Sequence, residues 1–309
     1  MRIIIAGTGG VGGYYGAMLA QAGHEVFFIA RGAHLEAIKR DGLAVKSYLG
    51  DFSARAQCGP DSTDFGLADL VLVCFKTYHT RSTTGLYATC VGQKTMVLSL
   101  QNGVNADAIL AERFGEEKVM GGVAFIGSRV KAPGVVLHTG FGSMALGEIW
   151  GGLSDRAREL GDMFAQAKIK CRVSGDIKKD KYSKMVWNVG FNGVCAIVDC
   201  SAGEALKSAS TRTLIRTAML EWIAVARGAG VDLDYELADK NIEATEKGGE
   251  VIPSMVMDKR NGRLLETEAI NGKVVELGIM QKIPTPLNQF IVDILDFHNK
   301  KIKSSGGGV

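Results

Sequence analysis

Three glycines near the start of the chain constrain its fold more than any other feature. They form the pattern G-x-G-x-x-G at Gly7, Gly9 and Gly12, directly after the apolar run RIIIA. A helical run closed by Gly23 follows, and then a second apolar run, HEVFFIA, an arrangement typical of a dinucleotide-binding βαβ unit. The first glycine permits a tight turn, the second lets the backbone approach a pyrophosphate, and the third lets the helix pack closely on the sheet. We predict that this turn and the helix N-terminus bind a dinucleotide through Gly7, Thr8, Gly9, Gly10, Val11 and Gly12.

The other apolar runs of the first half predict a parallel sheet. ADLVLVCFK and TMVLSLQNG are apolar almost throughout, as strands buried on both faces are. Their alternation with helices indicates an α/β fold with a Rossmann-type, doubly wound parallel sheet. After VSGDIKKDK the strand signals stop, and four segments share helical periodicity: 180–198, 211–229, 234–247 and 262–281. We therefore predict a dinucleotide-binding Rossmann domain over residues 1–175 and an all-helical domain over residues 176–309.

Composition limits the class of protein. The 309 residues are 46% hydrophobic and 22% charged, and the net charge of +3 is too small to favour nucleic acid as a partner. No apolar stretch reaches the length of about 18 residues that a membrane span needs. The six cysteines contain no C-x-x-C pair and no signal peptide precedes the first strand, so we expect a cytoplasmic protein with reduced thiols. We also predict no metal site.

Three polar residues follow the predicted strands and bear on the choice of cofactor. Arg31 ends the second strand, where NAD-binding units carry an acidic residue that accepts from the ribose. A solvated surface arginine is the alternative, but a guanidinium pairs well with a 2′-phosphate, so we favour NADPH/NADP+. Lys76 ends the next strand, where it could serve the phosphates, close the substrate cleft or be an ordinary strand-end lysine. Asn102, in QNG, either forms a tight turn or donates to the nicotinamide ribose or the substrate.

A polar stripe marks the second half of the chain. Lys184, Asn188 and Asn192 recur at four-residue spacing in the otherwise apolar helical segment KMVWNVGFN. Buried amides and ammonium groups cost several kcal/mol unless they are partnered, so the stripe favours a polar cleft, with a solvated helix edge as the alternative. Further on, Ser254 precedes a polar turn, and Glu266 is expected on a helix, where a lone glutamate is usually a surface charge.

Taken together, these features resemble the ketopantoate reductase (2-dehydropantoate 2-reductase) family over nearly the whole chain. The resemblance is carried, in order, by GTGGVG, Arg31, FK at Lys76, QNG at Asn102, K-x-x-x-N-x-x-x-N from Lys184 to Asn192, PSM at Ser254, and E-x-E-x-x-N-G from Glu266 to Gly272. It implies an NADP-dependent oxidoreductase acting on a CH–OH group. The implied reaction reduces 2-dehydropantoate to pantoate, a step of pantothenate and hence coenzyme A biosynthesis.

The resemblance also implies roles for single residues. Lys184 would be the general acid, and its ordinary pKa of about 10.4 would keep it protonated at neutral pH. Glu266 would be an active-site partner of both cofactor and substrate. The implied substrate-binding residues are Asn102, Asn188, Asn192 and Ser254. Arg31, Lys76 and Asn102 would contact NADPH.

Some questions stay open at this point. The chain has His79 where members of the family carry Gln, and Ala202 where some carry Asn, which makes the identity of the 2-oxo acid less certain. One alternative is a reductase of another 2-oxo acid, or a related two-domain dehydrogenase with different catalytic residues. A second is a non-catalytic NADPH-sensing protein. An apolar helical second domain is compatible with a homodimer, and the final SSGGGV is expected to be a disordered tail.

Overall fold

A large mixed sheet with helices on both sides organises the first part of the chain. In the computed structural model, which describes residues 1–304, the chain divides into two units, residues 1–180 and the chain from Lys181 onward. The strands are β1 (Arg2–Ala6), β2 (Glu25–Ile29), β3 (Leu43–Ser47), β4 (Phe52–Ala54), β5 (Gln57–Gly59), β6 (Leu70–Val73), β7 (Met96–Ser99), β8 (Val119–Ala132), β9 (Val135–Glu148) and β10 (Cys171–Val173). The helices up to residue 166 are α1 (Gly10–Gln21), α2 (Gly32–Asp41), α3 (Thr80–Thr83), α4 (Ala106–Phe114) and α5 (Asp155–Gln166). The expected tail SSGGGV begins at Ser304, the last described residue, and its other five residues lie outside the described part of the chain.

The strand order confirms the predicted fold class. The sheet runs β4-β3-β9-β8-β7-β6-β1-β2-β5, with β10 beside β9. Within it, the path β5-β2-β1-β6-β7-β8 is parallel throughout and has the order 3-2-1-4-5-6 of a Rossmann fold. The carboxyl ends of its central strands therefore lie along one edge, where such sheets bind ligands.

The sheet also contains antiparallel pairs that the apolar runs do not reveal. β8 and β9 form a long antiparallel hairpin that turns at Gly134, whose φ is +72°. β3 pairs parallel with β9 and antiparallel with β4, which widens the sheet beyond the Rossmann core. Only one end of this hairpin is deeply buried, and its other end is rich in Gly, Ser and basic residues, so it lacks a continuous apolar signature.

The central strands are buried on both faces, which explains their continuous apolar sequence. Along β1, Ile3 and Ile5 pack into one hydrophobic cluster, whereas Ile4 and Ala6 pack into the cluster on the opposite face. All four side chains are inaccessible to solvent. Burying each isoleucine stabilises the fold by about 1.5–3 kcal/mol, so helices must cover both faces of the sheet.

The rest of the described chain is helical. Its helices are α6 (Ile177–Val198), α7 (Ala202–Leu206), α8 (Ala209–Gly228), α9 (Glu236–Gly248), α10 (Ser254–Arg260), α11 (Lys273–Gln281) and α12 (Pro286–Ser304), and Glu268–Gly272 forms a π-helical turn. The predicted segments 180–198, 211–229 and 234–247 correspond to α6, α8 and α9. The predicted helix 262–281 is wrong in its first half, because the chain is irregular up to Glu266 and then makes the π-helical turn before α11.

Three further observations concern residues 1–304. The helices there are all too short or too polar to cross a membrane. Their six cysteines are free thiols, of which Cys90, Cys195 and Cys200 are buried. No group of three or more His, Cys, Asp and Glu side chains among these residues is arranged to hold a metal ion.

Candidate active site

The glycine-rich turn connects β1 to α1, and its key glycines differ in their surroundings. Gly7 has a φ of +105°, a conformation that any side chain disfavours. A Cβ at Gly12 would run into the carbonyl oxygen of Gly7, so glycine is required for α1 to pack this closely. Gly9, the N-cap residue of α1, is the opposite case, since a Cβ there would meet no described atom within 4 Å. The turn is therefore closed toward the sheet and open at the helix N-terminus, which suits a pyrophosphate.

The predicted binding turn also includes three other residues, Thr8, Gly10 and Val11. Thr8 is buried, and both its backbone N–H and its hydroxyl donate to the Ile29 carbonyl, each over 3.0 Å. Gly10 lies directly against the Ser128 backbone of β8, so a Cβ has no room there. The structure thus brings the six predicted residues into one turn and ties that turn to the end of β2.

A histidine that sequence reasoning missed also holds this turn. His34, in the first turn of α2, donates from Nε2 to the Thr8 carbonyl over 2.8 Å. Its Nδ1 accepts from the Gly134 N–H over 3.0 Å, so one ring nitrogen donates and the other accepts, as only a neutral imidazole can do. Burial lowers the pKa of His34, in agreement with the neutral form. The only available sequence signal was a histidine three residues after Arg31.

The residues of the first unit that are predicted to bind cofactor or substrate follow the carboxyl ends of parallel strands in the centre of the sheet. Arg31 is exposed and is the N-cap residue of α2, directly beyond β2. Lys76 follows β6 and Asn102 follows β7, and both are half-buried. Burial, and secondly the charge of Arg31, lower the pKa of His79, so Arg31 lies within electrostatic reach of the loop after β6. The structure therefore gathers these residues beside the glycine-rich turn.

Gln101 joins two of these loops and was also missed as a site residue. Its side-chain amide donates to the Phe75 carbonyl and to the Thr80 hydroxyl, both over 2.8 Å. These bonds connect the QNG segment after β7 to the FK segment after β6. Its position beside Asn102 was visible in the sequence, but its partners, 26 and 21 residues away, were not.

In the second unit, the predicted stripe of α6 forms a hydrogen-bonded cluster with α10. Asn188 and Asn192 are only 6% and 1% exposed, and Asn192 Nδ2 donates to Asn188 Oδ1 over 3.3 Å. Asn192 Oδ1 accepts from the Ser254 hydroxyl over 3.3 Å and from the Met255 N–H over 3.1 Å. Asn192 therefore anchors the N-terminus of α10 and holds the exposed Ser254 beside α6.

Lys184, one turn before Asn188 on α6, interacts electrostatically with Glu266. Burial lowers the pKa of Lys184 to about 8, the charge of Glu266 opposes that shift, and the charge of Lys181 adds to it. The pKa of Lys184 therefore lies below the ordinary lysine value expected from sequence, and at pH 7 most of the amine is still protonated. An acid whose pKa lies near the working pH transfers its proton more readily than an ordinary lysine. Glu266 is 5% exposed and belongs to the irregular segment before the π-helical turn, not to the predicted helix.

Lys181 is a further residue of this cluster that sequence reasoning missed. It is 6% exposed, a rare state for a lysine. At 100° per residue it lies within about 20° of Asn188 and Asn192 around the axis of α6, and three residues before Lys184. The stripe of Lys184, Asn188 and Asn192 would have predicted Lys181 if it had been extended toward the N-terminus by one step of three residues.

The E-x-E-x-x-N-G motif is attached to α6 through its asparagine. Asn271, fully buried in the π-helical turn, donates from Nδ2 to the Val189 carbonyl over 3.0 Å and to Asn288 Oδ1 over 2.8 Å. A Cβ on Gly193 would lie 2.8 Å from Asn271 Oδ1, so the turn touches α6 where that helix has no side chain. π-Helical turns often occur at functional sites, and this one begins two residues after Glu266.

Two family models and several relatives in sequence match nearly the whole chain. The model described as "Ketopantoate reductase PanE/ApbA" matches residues 3–151, and that of the C-terminal part of the same family matches residues 176–299. A 2-dehydropantoate 2-reductase of Mesorhizobium japonicum is 30% identical, over 93% of this chain and 94% of that protein. One of Archaeoglobus fulgidus is 31% identical, over 95% of this chain and 96% of that protein.

Solved structures show the same relationship. A 2-dehydropantoate 2-reductase of Geobacter metallireducens superposes with a TM-score of 0.91 at 37% identity, covering 96% of this chain and 99% of that one. A ternary structure of D-mandelate dehydrogenase with NADH and anilino(oxo)acetate also reaches 0.91, at 26% identity, covering 98% of this chain and all of that one. The chain therefore belongs to the ketopantoate reductase family of oxidoreductases.

Proposed function

We propose that the protein is an NADPH-dependent reductase that converts 2-dehydropantoate to pantoate, in pantothenate biosynthesis. The observation that carries the proposal is Lys184, which lies on the same helix as the hydrogen-bonded Asn188 and Asn192 and within electrostatic reach of the buried Glu266. Relatives named 2-dehydropantoate 2-reductase support the substrate.

Lys184 has the properties that the reduction of a keto group requires. Bound NADPH would supply the hydride that adds to the keto carbon. As negative charge develops on the keto oxygen, the Lys184 ammonium stabilises it and then donates its proton to form the hydroxyl. Solvent returns a proton to the amine, so each turnover consumes one NADPH and one proton. Neutral donors such as Asn188 and Ser254 orient the substrate without a competing charge.

We assign the cofactor to the first unit, where three groups of residues would contact it. The glycine-rich turn from Gly7 to Gly12 has the open helix N-terminus that a pyrophosphate needs, and a neighbouring structure contains NADH. Arg31 would pair with the 2′-phosphate, and Lys76 and Asn102 would contact the cofactor from the loops after β6 and β7. Glu266 would contact both cofactor and substrate. In this proposal residues 1–175 bind NADPH and residues 176–309 supply the substrate-binding and catalytic groups.

The resemblance to D-mandelate dehydrogenase favours one alternative substrate. Mandelate and pantoate are both 2-hydroxy acids, so the same cluster would also serve an aromatic 2-oxo acid. The cytoplasmic location and the homodimer stay predictions. Size-exclusion chromatography with light scattering tests the second.

The reaction is tested by following the absorbance of NADPH and NADH with 2-dehydropantoate, benzoylformate and pyruvate. We expect the highest kcat/KM with NADPH and 2-dehydropantoate. Lys184→Ala should lower kcat by about 10²–10⁴-fold while NADPH still binds, because only proton donation and charge stabilisation are lost. Lys240→Ala, which removes an exposed ion pair with Glu236, is the matched control and should leave kcat unchanged. NADPH binding without oxidation by any 2-oxo acid would favour the sensor instead.

Cofactor selectivity is tested at Arg31. Arg31→Ala should weaken NADPH binding by about 10–100-fold, since hydrogen bonds to a charged group are lost, and should change NADH binding little. Fluorescence titration with each nucleotide measures both constants. Arg158→Ala removes a comparable exposed arginine, paired with Asp155, and serves as the control. Equal losses for the two nucleotides would show that Arg31 does not bind the 2′-phosphate.

A further inference from the structure

The segment that carries Glu266 is held by one asparagine of the last helix. Asn299, on α12, accepts from the Leu265 N–H at Oδ1 over 2.8 Å. Its Nδ2 donates to the Leu265 carbonyl over 3.2 Å and to the Thr267 hydroxyl over 3.3 Å. The carboxamide thus bonds both the N–H and the carbonyl of Leu265, as the backbone of a neighbouring β-strand would. It therefore holds the residues on both sides of Glu266.

Asn299 is a polar residue on the otherwise largely apolar face of α12, and its hydrogen bonds explain why an amide can occupy that place. The buried side chains of α12 include Ile291, Leu295 and Ile302, which follow helical spacing. Asn299 occupies the next place on this largely apolar face, four residues after Leu295, and is half-buried. A polar group in such a stripe is unfavourable unless its hydrogen bonds are made, and those of Asn299 all go to the Glu266 segment.

We propose that Asn299 is a positioning residue for the active site, which orients the Glu266 carboxylate toward Lys184 by clamping Leu265 and Thr267. The inference rests on the proposed function, because it takes Glu266 and Lys184 to be its active-site pair. Leu265 and Thr267 are 3% and 0% exposed, so the Leu265 backbone and the Thr267 hydroxyl depend on Asn299 for these bonds more than exposed groups would. With both neighbours held, the backbone at Glu266 is fixed, and with it the direction of the Cα–Cβ bond from which the carboxylate extends.

Two substitutions separate the parts of the clamp. Asn299→Leu completes the apolar stripe of α12, so the protein should fold, but it removes all three hydrogen bonds. Asn299→Asp keeps the acceptor for the Leu265 N–H and loses the two donated bonds. We expect kcat for 2-oxo acid reduction to fall at least 10-fold in Asn299→Leu and less in Asn299→Asp, with the dissociation constant of NADPH changed less than about threefold.

The pH dependence distinguishes positioning from a general loss of stability. Glu266 raises the pKa of Lys184, so a displaced carboxylate should lower that pKa and move the alkaline limb of kcat to lower pH. Leu295→Ala, one turn away in the same stripe, should destabilise the protein without moving this limb. An Asn299→Leu enzyme with unchanged kcat and pH profile would overturn the proposal.

A second measurement does not depend on activity. The pH dependence of Lys184 labelling by an amine-reactive reagent, read by peptide mass spectrometry, reports the pKa of Lys184 in each variant. A lower pKa in Asn299→Leu than in the unsubstituted protein supports the clamp, and an unchanged one contradicts it. If the unsubstituted protein reduces no 2-oxo acid, the proposed function fails, while this titration still decides whether Asn299 positions Glu266.

Discussion

At the scale of single residues, three influences set the proton affinity of Lys184. Burial lowers its pKa most, the carboxylate of Glu266 raises it, and the ammonium of Lys181 lowers it further. Lys184, Asn188 and Asn192 were predictable as a group because their helical spacing is local. The charges that tune Lys184 were not, because Glu266 is far away in the sequence and Lys181 looks like an ordinary surface lysine.

Removing the second ammonium tests this balance. Lys181→Met should raise the pKa of Lys184 above about 8, because a neighbouring like charge disfavours the protonated amine. Activity that needs protonated Lys184 is lost as pH rises through this pKa, so the alkaline limb of kcat should move to higher pH. Steady-state kinetics between pH 6 and about pH 10 measure the shift. Lys181→Arg keeps the charge and should behave like the unsubstituted enzyme, and an identical limb in all three proteins would show that Lys181 has no such effect.

At the scale of elements, the contact between α1 and β1 explains why one turn needs glycines for different reasons. Gly12 is required by packing, since its Cβ would meet the Gly7 carbonyl, whereas the space around Gly9 is open to the described chain. The close packing at Gly12 agrees with the sequence pattern, and the role of Gly9 in binding a pyrophosphate stays a prediction. It also predicted one helix over 262–281, which fails because Asn299 bonds the backbone of Leu265 and so competes with helical hydrogen bonding there.

The two glycines should therefore fail differently when substituted. Gly12→Ala should lower the free energy of unfolding by about 1–3 kcal/mol, because overpacking forces α1 away from β1. Gly9→Ala should leave stability nearly unchanged, since its φ of −81° suits alanine, but should weaken NADPH binding by blocking the approach of the pyrophosphate. Chemical denaturation and nucleotide titration of both variants measure the two effects. A loss of stability in Gly9→Ala would contradict the conclusion that the space around Gly9 is open.

At the scale of the whole molecule, the alternation of apolar strands and helices was enough to predict the Rossmann core and the helical second half. The widening of the sheet was not predictable, because β3 pairs with β9 through residues such as Ala44 and Val135, which are far apart in the chain. Short, half-exposed strands carry weak apolar signals, and their pairing depends on which partner the folded chain offers. The site roles proposed for both units stay predictions until the variants are measured.

The sequence by itself determined the glycine-rich turn, the strands of the core and the polar stripe of α6. Each of these features follows from local periodicity or from the conformational freedom of glycine, and none depends on a contact with a residue far away in the sequence. Only the tertiary structure decided that His34 holds the turn, that Glu266 and Lys181 adjust Lys184, and that Asn299 clamps Leu265. Such contacts join residues up to 100 positions apart, as His34 and Gly134 are, and their strength comes from burial, which sequence spacing alone does not reveal.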